Sequence, residues 1–375
     1  MEHETNGYAK RLKDVLIRFF DTIKPSLLAV LFGLLIGLII LLIFDYRDAF
    51  PALFTLLGGG FNAGFSGLGD TLYKAAPIIL TGLAVAFAFK TGLFNIGASG
   101  QMMLGAYVAI HVGVRWSIPA PWHWIIALVM AMIAGLLWGA IPGLLKAISN
   151  VHEVVTSIMM NYIAGHLLIF LIKSNVYNFN RARSITIRRT AQLPSFGQLF
   201  ADSQANIGIL IAIAMTIIGH IVIHKTTLGY ELRASGFSVH GSEYAGMNTK
   251  RNIVAAMSIS GMFSGLAGGI AYLVYGKTIG TSFEIFGEGF DGISVALLGL
   301  GEPIGALFAG LFLSHLRMGG NYMQIYAFEP EIIDIIVAVI IYVTAISAAL
   351  QSVLTKRKKR IKGWLKIGKE EEEID

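Results

Sequence analysis

The sequence has no cysteine in 375 residues, and only 14% of its residues are charged. Without cysteine there is no disulfide framework, no thiolate nucleophile and no cysteine-ligated zinc or iron–sulfur centre. Water-soluble domains carry about 25% Asp, Glu, Lys and Arg, so the shortage of charge excludes an ordinary soluble enzyme. The 43 glycines show no three-residue period, which excludes a collagen-like chain, and with 23 phenylalanines they fit packed helices in lipid. What is abundant is apolar: 55% of residues are hydrophobic and the mean hydropathy is +0.68. The 29 Lys and Arg exceed the 23 Asp and Glu, and eight of those basic residues follow Leu354. That excess is a local tail and not a nucleic-acid-binding face.

Charge-free stretches long enough to cross a hydrocarbon core about 30 Å thick dominate the chain. Ser26–Phe44, Ala75–Phe89, Thr91–Val114, Trp116–Leu145, Val154–Ile172, Ser203–His224, Asn252–Gly276 and Ile335–Thr355 contain no Asp, Glu, Lys or Arg. A further apolar run, Gly292–Leu316, is interrupted by Gly301, Glu302 and Pro303. As one helix it gives nine spans and strands the basic tail outside; as two it gives ten and places both termini in the cytoplasm. The ten-span count leaves 19 basic residues inside and 10 outside. The expected fold is therefore an all-α, polytopic helical membrane bundle of about ten transmembrane helices with cytoplasmic N and C termini. Residues 1–25 form a cytoplasmic lead-in, 26–355 the membrane domain and 356–375 a charged tail. The largest hydrophilic connections are an external loop, 173–202, and a cytoplasmic loop, 225–251. The external loop is unexpectedly basic. Glycine pairs four apart, Gly33/Gly37, Gly135/Gly139, Gly261/Gly265 and Gly301/Gly305, mark close helix contacts.

Several motifs imitate chemistry. Ala271–Thr278 matches a loose phosphate-loop pattern, but its inner residues are Tyr, Leu, Val and Tyr, too bulky for a backbone wrapped around phosphate. Gly97–Gly100 imitates the Gly-x-Ser-Gly of intramembrane serine proteases, with His111, His166, His220 and His315 in or near spans. Nothing in sequence brings a base to Ser99, and packing accounts for its glycines. His220 and His224 share a helix face, yet no carboxylate is near in sequence, so headgroup contact is the expectation. Carboxylates inside spans are costly and mark pathways. Glu153, Ser157 and Asn161, spaced i, i+4, i+8, set a carboxylate, a hydroxyl and an amide on one stripe that suits a polar neutral solute. Asn95 and Gln101 on the preceding hairpin, with Asp291, complete the expected substrate pathway. Interhelical hydrogen bonding is the competing role for the same groups.

Four ordered stretches resemble one family: Gly92–Gln101 (GLFNIGASGQ), Val151–Ile163 (VHEVVTSIMMNYI), Thr227–Gly236 (TLGYELRASG) with Glu243–Met247, and Gly289–Gly299 (GFDGISVALLG). They are similar to the permease subunits of bacterial ABC importers in the branched-chain amino acid, ribose and nucleoside branch, most of all the nucleoside type. The resemblance runs from Tyr73 to Leu354. It departs at Ser99, where relatives often carry Glu, and at Ser238, where Asn is common. It implies a transport subunit and not an enzyme, in the bacterial cell membrane, with ATP and magnesium held by a partner ATPase and no cofactor on this chain. It also implies a coupling helix docked on that ATPase, here Glu231, Leu232, Arg233, Ala234, Ser235 and Gly236. The further implied partners are a second, different permease subunit, an extracytoplasmic substrate-binding lipoprotein and membrane lipids. The rival class is an ion-coupled secondary transporter, which needs coordinating carboxylates near broken helices; Asp291 and Glu302 flank such a segment.

Overall fold

A computed structural model describes residues 30–326 and, beyond them, 328, 331–332, 334–340, 342–343 and 346. The expected lead-in, the charged tail and most of the last span lie outside the described residues. The chain divides into two units, one of residues 1–53 with 326–375 and the other of Phe54–Ile325. In the first unit, α1 (Val30–Phe44) is apolar throughout. Its Gly33 and Gly37 face Ile340 and Ile336, and a Cβ on Gly33 would lie 2.7 Å from the Ile340 Cα. This pair of glycines is a helix contact, as the four-residue spacing implies.

The second unit is mostly helical, with one small hairpin and irregular connections among its described residues. After α2 (Ala49–Gly58) and a short 3-10 turn come α3 (Gly64–Phe89), α4 (Ala98–Arg115), α5 (Trp122–Ser149) and α6 (Glu153–Asn175). The hairpin pairs β1 (Tyr177–Asn178) with β2 (Arg183–Ser184). Then follow α7 (Gly208–Lys225), α8 (Thr227–Phe237), α9 (Val239–Tyr244), α10 (Thr249–Tyr272), α11 (Gly287–Leu298) and α12 (Pro303–Met323). Five helical segments among the described residues are long and apolar enough to cross a membrane. The apolar faces point outward: on α5, Val129, Ile133, Leu137, Ile141, Leu144 and Ile148 are all exposed at helical spacing, a stripe that belongs in lipid and not in water.

Small residues set the core. α10 lies against α3, α4 and α5, and the backbones nearly touch: a Cβ on Gly135 would sit 2.2 Å from the Gly261 oxygen, and one on Gly105 would sit 2.3 Å from the Gly265 oxygen. No side chain fits there, so these glycines are required by close approach. Gly301 differs from its expectation. It has φ +65° and turns the chain between α11 and α12, while Gly305 packs on Gly299.

Three element boundaries depart from the charge-free stretches. α3 starts at Gly64 and runs through Asp70 and Lys74, because Asp70 Oδ1 accepts from the Gln204 backbone N at 2.9 Å. α4 starts only at Ala98; Lys90–Gly97 is a folded turn in which Leu93 N donates to Ala88 O and Gly92 N to Phe89 O, with Gly92 at φ +72°. That pattern closes a helix C-terminus. The interrupted run is two helices, as the turn residues require, but α11 has 12 residues and rises only about 18 Å, less than a full crossing.

Candidate coupling and translocation site

α10 connects the two functional ends. From Asn252 to Tyr272 it rises about 30 Å, the thickness of the hydrocarbon core. At its first end lies the loop expected in the cytoplasm, which folds as α8 and α9. Each helix start is capped: Thr226 Oγ1 accepts from Gly229 N at 3.1 Å, Ser238 Oγ from Gly241 N at 3.0 Å and Asn248 Oδ1 from Arg251 N at 3.0 Å. Such caps define short helices that length alone does not stabilise. Gly229, Leu232 and Ser235, three apart, are the buried face of α8. Leu232 enters a cluster with Leu83, Phe87, Leu93 and Met257. Asn252 Nδ2 donates to Ser235 Oγ at 3.0 Å. A Cβ on Gly236 would lie 2.4 Å from the Lys90 oxygen, so the end of α8 rests on the α3–α4 turn.

Of the six residues assigned to coupling, Leu232 and Ser235 thus hold the helix to its own protein. Glu231, Arg233 and Ala234 are half-buried and Gly236 is exposed. Sequence reasoning missed the outward surface. Tyr230, Val239, Phe237 and Tyr244 are exposed, the last two at 97%. The available signal was aromatic residues placed inside a polar loop, where no lipid would cover them.

One helical stripe of α10 carries the contact inward, because Asn252, Ala256 and Ser260 follow at i, i+4, i+8. Ser260 Oγ donates to Ala84 O at 2.6 Å and accepts from Asn95 Nδ2 at 2.7 Å. Asn95 Nδ2 also donates to Gln101 Oε1 at 2.9 Å. Its Oδ1 accepts from Gly97 N at 3.0 Å and from Gln101 Nε2 at 3.2 Å. All four hydrogen-bonding positions of this amide are filled. Asn161 Oδ1 accepts from Gly100 N at 2.8 Å, and its Nδ2 donates to Ile96 O at 3.0 Å. Ser157 adjoins the same group, since a Cβ on Gly97 would lie 3.3 Å from its Cβ. The structure therefore brings Asn95, Gln101, Ser157 and Asn161 together. Ser157 Oγ is buried without a hydrogen-bond partner among the described residues. Glu153 lies one turn below and forms an ion pair with Lys146 at 3.2 Å. Asp291 stands apart, bound to Arg317 at 2.5 Å.

Glu302 bonds to Lys90 and meets His224 Nε2 at 2.9 Å. Burial pushes its carboxyl up, but the hydrogen bonds from Lys90 and His224 outweigh that and hold it below its ordinary value. The expectation of headgroup contact for His224 is thereby corrected: its partner is a carboxylate distant in sequence. Both carboxylates that an ion-coupled transporter would use face basic side chains. The protease imitation also resolves as packing, because Ser99 Oγ donates to Phe286 O at 3.0 Å and fills the space beside Gly289. Lys277 of the phosphate-loop imitation lies over the Tyr73 ring, 5.7 Å from its centre.

At the second end of α10 the basic loop closes over the bundle. Arg188 donates from Nε to Val114 O at 3.2 Å and from Nη1 to Ser117 Oγ at 2.8 Å. His123 sits between Thr190 Oγ1 at 2.7 Å and Val112 O at 3.0 Å. Ser184 N donates to Ile279 O at 2.8 Å, joining the hairpin to the α10–α11 connection. Under this cover is a cavity of about 470 Å³ lined by Gly165 and Leu168 of α6, Arg181, Arg183, Tyr272, Thr281, Glu284 and Phe286. The Tyr272 and Phe286 rings stack with centres 5.2 Å apart. The buried face of α6, containing Glu153, Ser157, Asn161, Gly165 and Leu168, leads from this cavity to the coupling end.

Comparison with known proteins gives the same direction. Residues 67–345 match the family model described as branched-chain amino acid transport system / permease component. The chain is 41% identical over 354 residues to the guanosine ABC transporter permease protein NupP of Bacillus subtilis, covering 94% of this chain and 99% of that one. It is 35% identical to the nucleoside ABC transporter permease protein NupB of Lactococcus lactis, covering 88% and 93%. It is 33% identical to the glucose ABC transporter permease protein TsgB13 of Haloferax volcanii, covering 73% and 75%. No solved structure matches the chain.

Proposed function

We propose, from the premise that the chain belongs to the branched-chain amino acid transport permease family, that it is the multi-pass permease subunit of an ATP-driven importer and carries nucleosides into the cell. The observation that carries this reading is the 41% identity to a guanosine permease across nearly the full length of both chains. A relative 33% identical to this chain is named for glucose, so similarity to such permeases alone does not choose the cargo. The higher identity of NupP and NupB, 41% and 35% against 33% for the glucose-named protein, favours nucleosides, and the stacked Tyr272 and Phe286 beside Arg, Glu and Thr side chains supply a face for a base and partners for ribose hydroxyls.

Cargo enters at the 470 Å³ cavity and passes down the buried face of α6 past Asn161 and Ser157 toward Glu153. The amides of Asn95, Gln101 and Asn161 must exchange internal hydrogen bonds as it passes, which makes their cluster the closed state of a gate. α8 and α9 dock on a cassette ATPase that binds ATP and magnesium, through Arg233 and the exposed Tyr230, Phe237 and Tyr244. A second permease chain and an extracytoplasmic binding protein complete the assembly. The chain crosses the membrane ten times with both termini inside, α11 crossing together with the irregular segment before it.

Uptake of radiolabelled guanosine in cells expressing the whole transporter tests the function. The expected result is uptake that needs ATP, survives an uncoupler and is competed by other nucleosides but not by glucose. Loss on uncoupling would assign an ion-driven carrier instead. For topology, an impermeant thiol reagent applied to intact cells should label Thr186→Cys and spare His240→Cys; the reverse pattern rejects the orientation.

A further inference from the structure

We propose that His220, His224 and Glu302 form a binding site for a transition-metal dication of the zinc class, where the end of α7 meets the turn between α11 and α12. The two histidines are one helical turn apart on α7, so their rings project from one face, with centres 4.5 Å apart. Glu302 arrives from 78 residues away and sets Oε2 2.9 Å from His224 Nε2. One ligand atom from each of the three residues lies within 4.8 Å of the others. Nδ1 of His220 is buried and has no hydrogen-bond partner among the described residues, a cost that coordination relieves.

The donor set selects the ion. Two imidazoles and one carboxylate suit zinc, whereas magnesium and calcium require oxygen ligands. Zinc with bonds of 2.0–2.2 Å separates its ligand atoms by about 3.3 Å, so ring tilts of roughly an ångström close the triad. On binding, the ion replaces the hydrogen bond between His224 Nε2 and Glu302 Oε2, and both atoms turn to the metal. Three protein ligands leave a fourth position for water. Lys90, bonded to the other oxygen of Glu302, weakens the attraction for a dication and keeps binding reversible. A bound ion ties α7 to the start of α12 just before α8 begins. Its restraint on α8 rests on the coupling role proposed above; metal binding itself does not.

The test titrates zinc, and cobalt(II) as a coloured substitute, into tag-free full-length protein, read by calorimetry and visible absorption. Wild type is expected to bind one equivalent saturably and to give the absorption bands of four-coordinate cobalt. His220→Ala should lose that equivalent. Lys90→Met, which removes the competing ammonium, should tighten binding about tenfold, the scale of effect of a group behind a metal ligand. This gain of affinity keeps the site testable even where His220→Ala misfolds. No saturable equivalent in wild type, an unchanged equivalent in folded His220→Ala, or weaker binding in Lys90→Met would overturn the proposal. Because the readout is metal binding, its failure leaves nucleoside uptake unaffected, and failed uptake leaves the metal result standing.

Discussion

The polar cluster around Asn95 and the cavity beneath the basic loop both gather polar side chains inside the helical unit and behave as opposites. In the cluster, Asn95 makes four hydrogen bonds to Gly97, Gln101 and Ser260, and glycine neighbours close the space around it. In the cavity, Arg181, Thr281 and Glu284 line open volume. A polar residue in a membrane helix is informative only after its surroundings are known: a saturated amide in closed packing holds helices together, and a polar group that faces open volume is available to a solute.

The largest effect is expected at the closed side. Gly265→Leu drives a side chain into the Ala131 oxygen, 2.3 Å from its Cβ position, and should abolish a monodisperse folded protein in size-exclusion chromatography. Asn95→Ala should fold but lose about 2 kcal/mol in thermal or denaturant unfolding, from four hydrogen bonds at roughly 0.6 kcal/mol each. On the open side the effects should move from stability to transport. Tyr272→Leu keeps the apolar bulk and removes the stacking face, and is expected to raise the KM for guanosine about tenfold, the scale of one base–aromatic stack, with an unchanged melting temperature. Glu153→Gln lies one turn beyond the cluster, on the side away from the cavity, and should give the smallest change, uptake slowed about threefold with assembly intact, since about 0.6 kcal/mol accompanies one such polar contact. If Asn95→Ala left stability unaltered, or Tyr272→Leu left KM unaltered, the contrast between closed and open would collapse.

The sequence carried the membrane character, the helix contacts at Gly135, Gly261 and Gly265, and the break at Gly301 to Pro303, because each depends on local composition or spacing. It also marked Asn95, Gln101, Ser157 and Asn161, which the fold gathers. It concealed whatever depends on distant pairing. Asp70 and Lys74 look like a helix boundary until Gln204 arrives to bind the carboxylate. Asn95 finds Ser260 across 165 residues, and His224 finds Glu302 across 78. The exposed Phe237 and Tyr244 stayed hidden for another reason: hydropathy counts aromatics without recording whether lipid or water faces them.

The contact of Gly261 and Gly265 with Gly135 falls near the middle of α10. A stiff rod held at its midpoint is a seesaw. Asn252 lies about 16 Å on one side of that fulcrum and Tyr272 about 14 Å on the other, so the arms are nearly equal. A tilt of about 5° displaces each tip by roughly 1.3 Å, in opposite senses. A push delivered at α8 that draws the inner tip toward the bundle axis therefore swings the outer tip away from it, and a single rigid helix reverses the sign of the motion without bending.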